Sequence, residues 1–203
     1  MPPAGYRSTT EVEIKKSRFI TTVGRTDTET EARDLIAEVR GTYPDARHHC
    51  QAFRLDEDGV LSTRTSDDGE PAGTGGAPML NSLTHADVVN ITAVVTRYFG
   101  GIKLGASGLA RAYGGCVADA VAAMPRVVRR RFQVWSVRLP HADAGRVQDE
   151  LLRCGAVVLE VEYDPDGVCI RFHGDDGLAV VARATQGECV PIPDGVHEIE
   201  TPC

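Results

Sequence analysis

The sequence predicts an α+β fold in two units, and three observations carry that expectation. The 203 residues exceed the roughly 100–150 of an ordinary single domain. Helical periods alternate with β-branched runs along the whole chain. Pro125 and the arginines that follow it (Arg126, Arg129, Arg130, Arg131) interrupt that alternation. The expected division is residues 1–128 and 129–203.

Glu11 to Val23 alternates and is β-rich around Phe19, Ile20 and Val23, so it reads as one or two strands. Thr28 to Arg40 sets Ala32, Leu35, Ile36 and Val39 at helical spacing, with Thr28 or Asp27 as N-cap. Gly41 and Pro44 end it. His48 to Leu55 is a strand, and Asp58-Gly59 turns into its partner, Val60 to Arg64. Thr65 to Pro78 is a loop of Gly, Asp and Pro, and Pro78 to His85 a short helix. Asn90 to Phe99 is continuously apolar, as in a strand covered on both faces. A glycine-punctuated turn, Gly100 to Gly105, leads into a helix from Ala106 to Met124. Beyond the arginines come a strand (132–139), a helix (142–154), two strands (157–163 and 168–173) joined by a turn, a helix (178–185) and an extended piece (196–200). That βαββαβ order is the one found in ferredoxin-like units.

Apolar residues make up 42% and charged residues 25%, which excludes wholesale disorder, collagen and coiled coil. No run approaches the roughly 20 apolar residues of a membrane helix, and Met1 to Thr10 does not read as a secretory signal. Six cysteines without a Cys-x-x-Cys pair fit a cytoplasmic chain with inert thiols. The net charge is −7, but it is uneven. Residues 77–131 hold seven basic and two acidic side chains, whereas 56–76 hold one and six, and 132–203 hold five and thirteen. An anionic partner should find the middle segment, unless its arginines merely solvate a linker.

Two loops stand out. Ser66-Asp67-Asp68-Gly69-Glu70-Pro71-Ala72-Gly73-Thr74-Gly75-Gly76-Ala77-Pro78 crowds three carboxylates among glycines. Each close pair repels by roughly 1 kcal/mol in water, which calls for a cation, an arginine or backbone N–H groups nearby. Asp67 or Asp68 capping turn amides would also explain it. The second loop runs from Arg97 through Tyr98, Phe99, Gly100, Gly101, Ile102, Lys103, Leu104, Gly105, Ala106 and Ser107 to Arg111. It opens a helix, whose free N–H groups and positive dipole end favour anions. It is not a Walker loop, because Ala106 stands where the lysine belongs, and it has no Gly-x-Gly-x-x-Gly. The opposite charges of the two loops suggest that they meet, with Arg97 pairing to Asp67, Asp68 or Glu70.

Other candidates carry less. Adjacent strand residues point to opposite faces, so His48, His49 and Cys50 converge poorly on a metal. The acidic stretch from Asp56 lacks the register of a calcium loop. Cys50 and Ser107 have no oriented base. Lys15, Lys16 and Arg18 read as an exposed basic strand face.

The two loops together, from Ser66-Asp67-Asp68-Gly69-Glu70-Pro71 to Arg97-Tyr98-Phe99-Gly100-Gly101-Ile102-Lys103-Leu104-Gly105, resemble the YigZ/IMPACT family. Lys15-Lys16-Ser17-Arg18-Phe19-Ile20 and the His48-His49-Cys50 strand are similar to its early segments, so the likeness covers about residues 10–125. The resemblance implies a ribosomal protein S5 domain 2-like first domain and a ferredoxin-like second domain similar to the last domain of elongation factor G. It also implies a link to translation. The expected function is a non-catalytic binding or regulatory protein that contacts the ribosome, RNA or a translation-regulatory protein. The expected contacts are Asp67, Asp68, Glu70, Arg97, Tyr98, Gly100, Gly101, Lys103, Gly105, Ser107 and Arg111, with no catalytic residue, metal, cofactor or membrane partner. The alternative is a phosphate-binding, kinase-like enzyme using the same loops, with Mg²⁺ on Asp67, Asp68 or Glu70. A third reading is a protein adaptor docking through its acidic second domain.

Overall fold

The computed structural model describes residues 1–57 and 59–202. It divides into two compact units, Met1–Val128 with the end of the chain, and Arg129–Thr201. The first unit runs β1 (Arg7–Ile14), β2 (Ser17–Arg25), α1 (Glu29–Thr42), β3 (His48–Glu57), β4 (Val60–Ser66), α2 (Gly76–His85), β5 (Ile91–Tyr98) and α3 (Ala106–Ala122). Its sheet has the order β1-β2-β5-β3-β4, with every neighbouring pair antiparallel.

Helices cover both faces, which explains the unbroken apolar run of β5. On one face Phe19, Val23, Cys50, Ala52, Ala93 and Val95 pack with Met79 and Leu83 of α2 and with Tyr113 and Val117 of α3. On the other, Phe53, Leu55 and Val94 meet Ala32, Leu35, Ile36 and Val39 of α1. Each fully buried large apolar side chain contributes roughly 1.5–3 kcal/mol. Thr28 caps α1 by accepting from the Glu31 N–H at 3.2 Å, and Glu31 accepts in return from the Asp27 N–H at 2.7 Å.

The second unit takes β6 (Val127–Leu139), α4 (His141–Arg153), β7 (Val157–Asp164), β8 (Gly167–His173), α5 (Gly177–Ala184) and β9 (Ile192–Pro202), with strand order β7-β8-β6-β9. Val137, Leu139, Val147, Leu151, Ile170, Phe172 and Val181 form its core.

Boundaries differ from expectation where the support is distant. β6 starts at Val127, so the arginine run is strand rather than linker. Arg129 and Arg131 sit within reach of Glu198 at 3.5 and 2.6 Å, a pairing that local pattern cannot show. β1 starts at Arg7, where pairing with Gly24 of β2 extends the hairpin past the alternating run. Asp58, half of the expected Asp58-Gly59 turn, lies outside the described residues. The five described cysteines are all unpaired. No helix among the described residues is long and apolar enough to cross a membrane.

Candidate functional site

The acidic loop between β4 and α2 resolves its own repulsion. Asp67 accepts from the N–H of Gly73 at 2.7 Å, Gly75 at 2.8 Å and Gly76 at 2.9 Å. Burial alone would raise its pKa, but those three amides together outweigh burial and hold the carboxyl below the usual range. The same bonds cap α2, whose N-cap residue, Gly75, has no side chain to do so. This is why α2 starts at Gly76 rather than Pro78. Asp68, held at φ +44°, pairs with Arg40 and accepts from the His49 N–H at 2.7 Å. Glu70 turns inward, its side chain 4% exposed. It accepts from Arg97 Nη1 at 2.6 Å and from the Tyr113 hydroxyl at 2.8 Å. Of the three carboxylates offered to Arg97, Glu70 is the partner.

Register places Arg97. It stands at the end of β5, opposite Phe19 on β2 and His48 on β3. Its guanidinium carbon lies 5.5 Å from the Phe19 ring centre and 5.6 Å from that of Phe99, a cation between two rings. Nη2 donates to Ser17 Oγ at 3.3 Å, and Ser17 Oγ also accepts from the Gly100 N–H at 3.3 Å. The Arg97 Nε–H is buried without a partner. Burial, with the charges of Glu70, Asp67 and Asp68 adding to it, pushes the Cys50 thiol up to about 12. Its Sγ–H donates to the Asp67 carbonyl at 3.0 Å. Burial, followed by Cys50 and Glu70, likewise raises the Tyr113 hydroxyl above its ordinary range.

The two loops meet in one hollow of about 440 Å³. Glu70 and Arg97 lie in its lining, with Pro71, Phe99, Leu104 and Leu109 as apolar wall, Arg47 and Lys103 as cations and the His48 ring beside them. Gly105 and Ala106 bring the start of α3 to the same hollow, and no side chain caps that helix. His48 Nδ1–H donates to the Asp68 carbonyl at 2.9 Å, fixing the ring at the rim. Chemically the hollow offers anion-favouring N–H groups and cations beside apolar surface.

Not every expected residue reaches it. Glu70, Arg97, Lys103 and Gly105 do. Asp67 and Asp68 are committed to their own loop's amides and to Arg40. Strand alternation sends Tyr98 to the other sheet face, where Arg18 lies 5.4 Å from its ring centre. Gly100 and Gly101 shape the turn. A Cβ on Gly100 would sit 1.7 Å from the Lys16 carbonyl oxygen, and Gly101 holds φ +88°. Ser107 is exposed in the first turn of α3 and is not among the residues lining the hollow. Arg111 lines a neighbouring hollow instead, with Lys15. Arg47, His48, Phe99, Ser17 and Tyr113 were not read as site residues. His48 was open to discovery, since it shares a strand face with Cys50 and Ala52. Among the described residues no three His, Cys, Asp or Glu side chains come together as metal ligands.

The Impact N-terminal domain matches residues 15–121, more than half of the chain and inclusive of both loops. The chain belongs to the IMPACT family. Among its IMPACT relatives, YigZ of Escherichia coli is 40% identical over 152 residues, 74% of each chain. YvyE of Bacillus subtilis is 38% identical over 153 residues, 75% of this chain and 70% of that one. A crystal structure of a hypothetical protein, 34% identical, covers 96% of both chains with a TM-score of 0.61.

Proposed function

We propose that this IMPACT-family chain is a non-catalytic, cytoplasmic binding protein linked to translation. It contacts its partner, a ribosome, RNA or a translation regulator, through the 66–78 and 97–111 loops. The observation that carries this reading is the fate of the ionisable groups. Glu70, Asp67 and Asp68 are each held by hydrogen bonds within the fold, and the Cys50 thiol is pushed away from its reactive form. What faces outward is cationic and apolar, a surface suited to docking. The kinase-like alternative needs carboxylates free to hold Mg²⁺, and those of the loop are engaged. Family membership supports the translation link. In this reading residues 1–128 form an IMPACT-type, S5 domain 2-like domain and residues 129–203 a ferredoxin-like one. The strand order β7-β8-β6-β9 supports the second assignment. Pelleting with ribosomes at graded salt tests the proposal. Binding should weaken as salt rises and fall at least tenfold in Lys103→Glu. Binding indifferent to both would refute it.

A further inference from the structure

The chain contains three lysines, Lys15, Lys16 and Lys103, against nineteen arginines. All three gather round one turn. Lys15 and Lys16 form the two-residue turn between β1 and β2, both left-handed at φ +48° and +64°. Such turns favour Asn-Gly, because side chains are sterically disfavoured there. Two lysines held in that conformation mark a surface kept for use. The turn is fixed in place, since the Lys16 backbone packs so tightly on Gly100 that no Cβ fits between them. Lys15 and Arg111 line a hollow of about 220 Å³ that shares Leu104 with the larger one holding Lys103 and Arg47. Among the described residues none of these five cations makes an ion pair, in a protein whose net charge is −7 and whose arginines are mostly paired. Beside them Phe99 is 54% and Ile102 42% exposed.

We infer that Lys15, Lys16, Lys103, Arg47 and Arg111 form a track for the phosphates of a single-stranded nucleic acid, with Phe99 as a stacking surface for a base. The inference rests on the binding role proposed for the two loops and adds the β1–β2 turn to it. Unpaired cations follow a phosphate chain, and an exposed aromatic ring holds unstacked bases that a duplex does not present. Glu70, the carboxylate in the hollow that holds Lys103 and Arg47, is already neutralised by Arg97. Five phosphate contacts on a single strand give a log–log salt slope of about −3.5. That slope corresponds to about a 100-fold loss of affinity between 50 and 200 mM salt.

Fluorescence anisotropy of the full chain with labelled 12-nucleotide RNA, DNA and duplex probes tests it. Lys15→Gln/Lys16→Gln should lower the slope by about 1.4. Phe99→Ala should weaken binding about tenfold with the slope unchanged. Circular dichroism verifies that each variant is folded. A slope unchanged in the double variant, a duplex bound as tightly as the single strands, or no binding at 50 mM salt overturns the inference. Ribosome pelleting distinguishes the two readings. If ribosomes pellet but oligomers do not bind, the track fails and the translation-linked role stands. If oligomers bind as described but the protein does not pellet with ribosomes, the track stands and the partner is free single-stranded nucleic acid rather than the ribosome.

Discussion

Replacing Glu70 with alanine would leave the Arg97 guanidinium buried between Phe19 and Phe99 without its counter-charge, and the Tyr113 hydroxyl without its acceptor. Breaking a buried ion pair in this way costs about 3–5 kcal/mol. Residues 1–128 carry about 2.1 cal/mol/K of unfolding entropy each, so a loss of about 4 kcal/mol lowers the first unit's Tm by about 15 °C. Far-UV circular dichroism follows both units. Fluorescence of Trp135, the single tryptophan, follows the second. Comparing the two assigns the loss. A Glu70→Leu/Arg97→Met double variant removes both charges and should recover most of the stability, because an apolar pair of similar volume is often neutral relative to a buried ion pair. A single variant within 1 kcal/mol of the parent, or a double variant no better than the single, would refute the account of this pair.

Other expectations concern the frame of the site. Asp67→Asn should cost about 1–2 kcal/mol at pH 7 by weakening the cap on α2. The Asp67 carboxyl is depressed in the fold, so its contribution is present above the unfolded value of about 3.9 and is lost as pH falls through the folded value. The gap between parent and variant should therefore narrow in acid-denaturation curves as pH falls below the unfolded value. With its thiol pushed up to about 12, Cys50 should react with iodoacetamide at pH 8 about a thousandfold more slowly than an ordinary thiol. Peptide mapping before and after unfolding checks this, and rapid labelling in the native state would contradict it. Gly100→Ala should cost more than 2 kcal/mol, because its Cβ meets the Lys16 backbone. Gly101→Ala faces open space and should cost about 1 kcal/mol for its positive φ. Equal losses in urea melts would show that the turn is not pressed against the hairpin.

Element order and most element limits were legible because the signals are local. Examples are the Thr28 cap, the apolar face of α1 and the continuous run of β5. The meeting of the loops was legible from charge alone. The choice of partner was not. Whether Arg97 takes Asp67, Asp68 or Glu70 depends on the alignment of β5 with β2 and β3, which sets Arg97 opposite Phe19 and His48. Tyr113 enters the site because α3 crosses the same sheet face, 43 residues from the carboxylate it serves. The arginines after Pro125 looked like wet surface because their partners, Glu198 and Glu200, lie some 70 residues on in β9. Tyr98 was placed with the site by nearness in sequence, and strand alternation carries it to the other sheet face, while Arg111 stands in the adjoining hollow with Lys15.

Hydrogen–deuterium exchange of the full chain with and without ribosomes probes the shared docking surface most directly. Amides of residues 66–78 and 97–111 should slow together on binding, along with those at the Lys15-Lys16 turn. Protection confined to the second unit, or slowing of one loop without the other, would contradict a single surface built from both.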